Sequence, residues 1–375
     1  MANVVIAGGG FAGVVAAESL ATRLDPEHQI TLVSRSDQFI FYPALVRLAF
    51  GKCELADVSF DLRQALPSRR VRFIKAEIAR VDPAFRRVIL GHGEVEGDLS
   101  YDYLILALGR RLATERITGY FEYANHLLDV EGALKFGEAL RQFNKGRAVL
   151  GQCPGARLPV PVYETAFALS RYLTERGVRD SVGITIISPD PPTYQLGDAE
   201  VARALRTALE THNVEFLPDF SVDRVTATAV MPESRHGMNY DLLMLLPPFR
   251  GPGPVTGLTI SQEDGYIGVD ETMRVKGAAQ MYAAGDCVNL SGPKLGHMAV
   301  QQAEVVAANI TAEIRGQPPA ASYNHEMMLV IDEGSQESIY LHKGLWDDEP
   351  ATVKQGRFWS WAKRIHEKYW QAMHS

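Results

Sequence analysis

The chain begins with Asn3-Val-Val-Ile-Ala-Gly-Gly-Gly-Phe-Ala-Gly-Val-Val-Ala-Ala-Glu-Ser-Leu20, and this stretch decides the fold. Its Val-Val-Ile run predicts a short buried strand, and the apolar pattern after the last glycine predicts a helix. Gly8, Gly10 and Gly13 join them in Gly-x-Gly-x-x-Gly spacing. We expect Gly8 to allow a sharp turn, Gly10 to let a phosphate approach the backbone, and Gly13 to bring the helix close to the strand. The free amides at the helix start would then face a pyrophosphate, although a glycine-rich turn without a ligand has the same spacing.

Composition excludes several classes of protein. The 375 residues have room for two to three domains, and 46% hydrophobic with 22% charged residues is ordinary for a globular chain. A net charge of −7 argues against a nucleic-acid partner. The three cysteines lie far apart, which fits a reducing compartment and excludes a disulfide scaffold. The histidines form no His-x-x-x-His pair, so we predict no metal site, and no apolar run is long enough to predict a membrane-spanning helix.

The next segments continue the nucleotide-binding pattern with one departure. Residues 29–33 predict a second strand, after which an Asp or Glu often binds the adenosine ribose. This chain has Ser34 and Arg35 there, so we assign ribose binding to them. The loop at residues 40–45, which contains Pro43, either covers a flat ring system or simply packs on the protein.

Three further strands are predicted before residue 110. Residues 71–75 and 87–90 predict a small antiparallel layer. The run Tyr101-Asp-Tyr-Leu-Ile-Leu-Ala-Leu-Gly109 predicts a buried strand that ends in Ala107-x-Gly109.

The middle of the chain repeats the strand–helix–strand pattern. Residues 147–151 and 182–187 predict strands, and residues 162–173 predict the helix between them. Residues 242–250 end this insert. A βαβ unit placed midway predicts a second dinucleotide-type domain nested within the first.

A second diagnostic motif follows the insert. Gln280-Met-Tyr-Ala-Ala-Gly-Asp-Cys287 predicts a strand ending in Gly285-Asp286, and residues 297–310 predict the helix after it. We expect Asp286 to accept hydrogen bonds from ribityl hydroxyls while the helix start faces the O2 edge of a flavin.

These motifs resemble the flavoproteins that contain two dinucleotide-binding domains. Within that group the chain is most similar to sulfide:quinone oxidoreductases and flavocytochrome c sulfide dehydrogenase flavoprotein subunits, with type II NADH:quinone dehydrogenases as neighbours. The resemblance implies an α/β fold with two nested Rossmann-like domains and FAD, bound covalently or non-covalently. It divides the chain into an FAD domain (1–112 and 265–320), a second, degenerate NAD-like domain (113–264) and a C-terminal region (321–375). Together with the arguments above it gives these predicted FAD-binding residues: Gly8, Gly10, Phe11, Ala12, Gly13, Ser34, Arg35, Pro43, Ala107, Gly109, Gly285, Asp286, Lys294 and Leu295.

The stretch Gly151-Gln-Cys-Pro-Gly-Ala-Arg-Leu-Pro-Val-Pro-Val-Tyr-Glu164 distinguishes among these relatives. An NADH-binding member has a second Gly-x-Gly-x-x-Gly here. This chain has prolines at 154, 159 and 161, which remove amide donors that would hold a pyrophosphate. The segment resembles the sulfide-oxidising branch, so NADH binding is disfavoured.

The redox cysteines of that branch are absent. The resemblance aligns them with Leu158, with Met328 or Leu329, and with Leu128, and it aligns a histidine of some members with Gln195. Aliphatic side chains supply no thiolate, so we do not expect the ordinary disulfide relay. Cys153, in the loop that should border the flavin, is a candidate redox thiol or a packed loop residue, and the same alternatives hold for Cys287.

Two further residues are candidates for proton transfer. The resemblance places Glu164 at the start of a helix that points toward the flavin, where burial would raise its pKa and suit proton delivery to quinone. A capping or ion-paired glutamate is the alternative. The resemblance also places Lys294 near the isoalloxazine and quinone end, so the predicted catalytic residues are Glu164, Lys294 and Cys153.

Residues 356–375 predict an amphipathic helix with aromatic and aliphatic residues on one face and Arg357, Lys363, Arg364 and Lys368 on the other. This pattern predicts a helix in a membrane interface, or else one docked on the protein core. The tail resembles that of sulfide:quinone oxidoreductases. We therefore expect a peripheral or monotopic FAD oxidoreductase on the cytoplasmic side of a membrane, with quinone as acceptor and a small donor. A type II NADH:quinone oxidoreductase and a non-catalytic flavin-binding subunit are the alternatives, and a homo-oligomer remains open.

Overall fold

A computed structural model describes residues 1–192, 196–233, 236–334 and 337–374, so Gln195 lies outside the described residues. Its strands, in chain order, are β1 (Asn3–Ala7), β2 (Gln29–Ser34), β3 (Gln38–Ile40), β4 (Ser59–Asp61), β5 (Arg72–Asp82), β6 (Arg87–Gly93), β7 (Gly97–Ser100), β8 (Tyr103–Leu106), β9 (Arg111–Leu112), β10 (Gly146–Gln152), β11 (Val182–Ile187), β12 (Val214–Leu217), β13 (Val222–Val225), β14 (Ala229–Pro232), β15 (Met238–Asn239), β16 (Leu242–Leu246), β17 (Phe249–Arg250), β18 (Met281–Ala283), β19 (Glu326–Asp332), β20 (Ser338–Gly344) and β21 (Thr352–Gln355). The α-helices are α1 (Phe11–Arg23), α2 (Leu45–Ala49), α3 (Leu62–Ala65), α4 (Tyr120–Tyr123), α5 (Val130–Gln142), α6 (Val160–Glu175), α7 (Ala199–Thr211), α8 (Gly296–Ile314) and α9 (Arg357–His374).

The largest sheet has seven strands in the order β18-β8-β1-β2-β5-β6-β7. Strands β18, β8, β1 and β2 run parallel, so their carboxyl ends meet at one edge. Helix α1 packs against β1 and β2, and helix α8 packs against α1. The prediction that residues 71–75 belong to a separate antiparallel layer was wrong. Residues 72–75 pair parallel with β2, and only the later part of the long strand β5 pairs antiparallel with β6.

A second sheet has the order β12-β11-β10-β16, and all its pairs are parallel. Helix α6 connects β10 to β11, as the middle of the sequence predicts. The chain enters and leaves this region side by side, because β9 pairs antiparallel with β17. The α/β class is confirmed, whereas the exact domain boundaries stay a prediction.

The last part of the chain forms the antiparallel sheet β19-β20-β21 and helix α9. Trp370 of α9 is buried against an aromatic cluster that includes Phe11, Phe39 and Phe41, with ring centroids 4.8, 4.7 and 5.6 Å away. The helix therefore ends against the first residue of α1. Within the described residues, no helix is both long enough and apolar enough to span a bilayer.

Helix α9 docks on the protein through the face opposite its apolar stripe. Its apolar stripe of Phe358, Trp361, Ile365, Tyr369 and Met373 is 45–61% exposed. The opposite face, which contains Glu367 and Trp370, is buried. Lys363 lies opposite the apolar stripe, as the two-face pattern predicts, and there it points inward and pairs with Glu164. The predicted alternative of a helix docked on the protein core describes this buried face, while a membrane role for the exposed stripe stays a prediction.

Candidate flavin and quinone site

The glycine turn lies where the carboxyl ends of β1 and β8 meet. Gly8 has φ +117°, and a Cβ there would lie 2.1 Å from the carbonyl oxygen of Ala107. A Cβ on Gly13 would lie 1.8 Å from the carbonyl oxygen of Gly8. At Gly10, by contrast, a Cβ would meet no atom within 4 Å. The turn is thus closed by tight contacts at two glycines and open at the third, where backbone amides and the start of α1 are accessible to a phosphate.

The first and last motifs of the chain come together at this turn. A Cβ on Gly285, which has φ +82°, would lie 3.2 Å from the Ala12 methyl group. A Cβ on Gly296, the first residue of α8, would lie 3.3 Å from the Phe11 ring. The amide of Gly285 donates to the Gln302 side chain at 2.7 Å, which ties the end of β18 to α8. Leu295 is the N-cap residue of α8, so the starts of both helices lie at the same edge of the sheet.

Ser34 is the last residue of β2 and Arg35 follows it, at this edge and beside β1. A Cβ on Gly9 would lie 2.9 Å from the Ser34 hydroxyl oxygen, and the Arg35 side chain is exposed. Gly109 ends the β8 segment with φ +68°. The predicted ribose residues therefore border the glycine turn.

Asp286 pairs with Arg110, a residue that our sequence reasoning missed. The Arg110 guanidinium carbon lies 4.3 Å from the Phe249 ring centroid and 5.9 Å from that of Tyr42. Its Nε is buried and has no hydrogen-bond acceptor among the described residues. Burying a hydrogen-bond donor without an acceptor costs free energy of folding, so the Arg110 Nε is positioned to donate to a polar atom of a bound ligand. The signal in the sequence was an arginine directly after Ala107-x-Gly109.

The open turn at Gly10, the carboxylate of Asp286 and the unpaired Arg110 donor together fit FAD. A diphosphate suits the amides of a helix start, and ribityl hydroxyls suit a carboxylate. No group of three or more His, Cys, Asp or Glu side chains within the described ranges is arranged to hold a metal ion.

Lys294 is buried just before α8. Its ammonium donates to the carbonyl of Val288, and its Nζ lies 5.1 Å from the Tyr266 ring centroid. Burial and the nearby charge of Arg157 lower the pKa of Lys294 to about 7, although Asp286 opposes this shift. A lysine of this kind exchanges its proton near neutral pH, as acid–base groups in enzymes do.

A cavity of about 320 Å³ lies between α2, α6, β19 and the inner face of α9. Glu164 lines it and is buried, and its carboxylate accepts hydrogen bonds from the Lys363 ammonium at 2.5 Å and from the amide of Asp332 at 2.9 Å. Burial raises the pKa of Glu164, while Lys363 opposes the shift. Burial alone would lower the pKa of Lys363, but the attraction of Glu164 and Glu367 leaves it raised. Pro43 lines the same cavity, so this predicted cofactor residue lies at its wall.

The cysteines have the surroundings of core residues. Cys153 is completely buried in a cluster with Tyr120 and Val149, and burial raises the pKa of its thiol. The Cys287 thiol donates to the carbonyls of Leu106 and Ala284, and burial raises its pKa to about 12. A thiol with a raised pKa is a poor source of thiolate, so the structure argues against the prediction that Cys153 is a redox group.

Comparisons with known proteins agree with the geometry. The family model described as pyridine nucleotide-disulphide oxidoreductase matches residues 2–303. The chain is 26% identical to a sulfide-quinone reductase of Aquifex aeolicus over 98% of its own length and 90% of that protein's. The solved structure of the sulfide:quinone oxidoreductase from this bacterium superposes with a TM-score of 0.93 at the same coverage. A type II NADH:quinone oxidoreductase of Staphylococcus haemolyticus is 23% identical, with 92% of this chain and 89% of that protein covered. The resemblance inferred from the motifs is confirmed.

Proposed function

This chain belongs to the pyridine nucleotide-disulphide oxidoreductase family, and we propose that it is an FAD-dependent oxidoreductase that passes electrons from a small donor to quinone at a membrane surface. The observation that carries the proposal is the meeting of the glycine turn with Gly285, Asp286 and Lys294 at one sheet edge, together with a cavity between α6 and α9 whose wall includes Pro43. The named activities of its relatives in Aquifex aeolicus and Staphylococcus haemolyticus, both quinone reductions, support the same class of acceptor. The domain division 1–112 with 265–320, 113–264 and 321–375 is part of this proposal.

The FAD would be held by residues of two motifs. The amides at Gly10 and Phe11 would bind the diphosphate, Ser34 or Arg35 the ribose, and Asp286 the ribityl chain. Bound there, FAD would take two electrons from the donor and deliver them to the acceptor. Arg110 would neutralise Asp286 and offer its Nε to a ligand oxygen, which explains why that donor has no acceptor within the described residues.

The quinone head group would enter the cavity below α9. Pro43, Val46, Phe50 and Tyr172 give the cavity an apolar wall against which a flat ring can pack. Reduction of a quinone to a quinol consumes two protons as well as two electrons. Glu164, whose pKa is raised by burial, and its partner Lys363 line this cavity, where they would relay protons from solvent to the reduced ring.

A membrane interface is the occupant we propose for the outer face of α9. Five large apolar side chains point away from the protein body, an arrangement that favours insertion between lipid head groups. On the helical wheel Arg357, Arg364 and Lys368 follow one border of this stripe, and all three are exposed. We infer a peripheral protein on the cytoplasmic side of the membrane, whose inserted stripe would bring it to the lipid-soluble quinone.

The electron donor is the part of the proposed function in which this chain is expected to differ from its relatives. The loop after β10 lacks the glycine motif for NADH, and aliphatic residues stand at the positions of the redox cysteines. A reduced sulfur compound or another small donor that needs no protein thiolate fits these residues best. Both NADH oxidation and a flavin-binding role without turnover are outcomes that one experiment distinguishes.

The test is an anaerobic titration of the purified flavoprotein with sulfide, NADH and a quinol, followed by the flavin absorbance band. We expect bleaching by a small donor or by the quinol, and no bleaching by NADH. Rapid bleaching by NADH would refute the proposed donor class. Absence of a response to all three would favour a binding subunit.

A further inference from the structure

The loop that lost both the NADH motif and the redox cysteine is fastened to the segment before α8. Arg157 Nε donates to the carbonyl of Gly292 at 3.0 Å, and its Nη2 donates to the carbonyls of Leu290 and Gly292. In return the amide of Lys294 donates to the carbonyl of Arg157 at 2.7 Å. An arginine side chain that binds two carbonyls of one loop holds that loop more firmly than a single bond, because its donors form a planar fork.

Arg157 and Lys294 also approach the same aromatic ring. The Arg157 guanidinium carbon lies 5.8 Å and the Lys294 Nζ 5.1 Å from the Tyr266 ring centroid. Tyr266 is buried, and its hydroxyl has no hydrogen-bond partner among the described residues. The ring thus has two cations near it, which keeps their charges close together in a region of little solvent.

Several charged or titratable groups from different segments act on Lys294. Burial and Arg157 are the two largest causes that lower its pKa, and Asp286 is the main opposing group. Those that face it are Arg157 from the loop after β10, Arg110 after β8, Tyr266, Asp286 and Cys287 after β18, and His325 before β19. Arg157 therefore opposes the charge of Lys294 more strongly than Arg110 does.

We propose that Arg157 is the positioning residue for Lys294, because it ties the two loops together, holds the lysine over the Tyr266 ring and opposes its positive charge. In this proposal Arg157 acts through Lys294. The role of Lys294 beside the flavin rests on the function proposed above, whereas the effect of Arg157 on Lys294 does not. The loop after β10 would then set the charge state of a residue at the flavin instead of binding NADH or carrying a thiol.

The test uses the flavin-loaded protein and the variants Arg157→Gln and Arg157→Lys. Arg179→Gln is the matched control, because Arg179 likewise donates to backbone carbonyls, those of Val182, His212 and Asn213, in another region. The protein is made with 13Cε-labelled lysine, and the Lys294 signal is assigned by its loss in Lys294→Met. Its titration is followed by NMR, and thermal unfolding is measured on the same samples.

We expect the Lys294 midpoint in Arg157→Gln to rise by about one pH unit, a tenfold change in proton affinity, because a neighbouring positive charge is removed. Arg157→Lys keeps a positive charge but not the fork, so its midpoint should stay close to wild type while its unfolding temperature falls. Arg179→Gln should lose stability without a shift in midpoint. An unchanged midpoint in Arg157→Gln, or an equal shift in the Arg179 control, would overturn the proposal. So would a wild-type midpoint near that of an ordinary lysine, a result that needs no variant to fold.

A second measurement separates this proposal from the proposed function. The flavin is reduced by light under anaerobic conditions with EDTA as the sacrificial electron donor, and its reoxidation by a water-soluble quinone is followed across pH. We expect the pH profile of Arg157→Gln to move in the direction of its NMR midpoint, and a profile that stays with wild type would count against the proposal. If quinone fails to reoxidise the wild-type flavin, the proposed function is refuted while the NMR result still decides the role of Arg157.

Discussion

Gly10 and Gly13 belong to one motif, but a side chain at these two positions would have different consequences. A Cβ at Gly13 collides with the backbone of Gly8, whereas a Cβ at Gly10 enters open space. Gly13 is therefore required by the packing of α1 on β1, whereas we propose that Gly10 is needed for the approach of a ligand. The proposal divides the motif into a folding part and a binding part.

We expect Gly10→Ala to fold with near wild-type stability but to bind FAD at least about tenfold more weakly, a loss of about 1.4 kcal/mol. Gly13→Ala should lower the unfolding temperature of the flavin-free protein, because the backbone must move to accept the methyl group. Flavin fluorescence quenching gives the affinity, and circular dichroism gives the unfolding curve. Equal loss of stability in both variants would contradict the division.

Lys294 makes stability depend on pH. Its pKa is lowered to about 7, so between that pH and the ordinary lysine value of about 10.4 the unfolded chain binds more protons than the native protein. Native stability consequently rises with pH through this window, and the cost of burying the charge is complete below it. Lys294→Met removes the cost.

In flavin-free protein, Lys294→Met should therefore be more stable than wild type by a margin that shrinks by on the order of 2 kcal/mol between pH 6 and pH 9. Urea unfolding at each pH measures the margin. Lys276→Met is the control, because it removes an exposed lysine by the same substitution. A margin for Lys294→Met that is constant or grows with pH would show that the native lysine is not neutral near pH 7.

At the scale of elements, α9 combines two surfaces with different tasks. Its inner face is held by Trp370 in the aromatic cluster and by pairs from Arg47 to Glu367 and from Lys363 to Glu164. Its outer face is apolar and exposed. The sequence predicted the helix and its two faces correctly, but periodicity alone does not say which face meets the protein. That depends on acceptors such as Glu164, which lies about two hundred residues away in the chain.

Substituting Phe358, Trp361, Ile365 and Tyr369 together by serine should weaken binding to lipid vesicles at least about tenfold while leaving the unfolding temperature close to wild type. Cosedimentation with vesicles gives the binding. The control is Trp370→Ala, which should lower stability because a large buried aromatic is removed. Unaltered vesicle binding by the fourfold variant would refute a membrane role for the stripe. Deletion of residues 356–375 would not isolate the stripe, because it would also expose the aromatic cluster around Phe11.

For the whole molecule, features encoded by a local sequence pattern could be predicted, whereas features that depend on contacts between distant parts of the chain could not. The turn at Gly8 to Gly13, the Asp286 strand end and the repeat between them are local, so the sequence predicted an α/β fold and one cofactor edge. Arg110, Arg157 and Lys363 were missed as site residues, because each acquires its role from a partner far along the chain. The long strand β5 was misjudged for a similar reason: its pairing changes from parallel to antiparallel midway, which side-chain alternation does not reveal.

The ion pair between Glu164 and Lys363 joins helix α6, which lies in the second parallel sheet's region, to the last helix of the chain. Substitutions in this pair measure how strongly such a long-range contact stabilises the fold. Its side chains are mostly buried, so removing one partner leaves a charge without compensation. Glu164→Gln should lower the free energy of unfolding by about 3 kcal/mol. The double variant Glu164→Gln/Lys363→Met should lose less than the sum of the single variants, by at least about 1 kcal/mol, in urea unfolding.

Lys52 and Glu175 provide the matched pair. They line the same cavity, and Lys52 Nζ lies 3.3 Å from a Glu175 carboxylate oxygen, but both side chains are more than half exposed. A double-mutant cycle on this pair should therefore show a coupling energy below about 1 kcal/mol.

If Glu164 also relays protons to quinone, Glu164→Gln should slow reoxidation of the light-reduced flavin by about 10- to 100-fold, whereas Glu175→Gln should not. Additive effects at Glu164 and Lys363, with an unchanged rate, would mean that the cavity beneath α9 serves neither the docking of the helix nor the reaction with quinone.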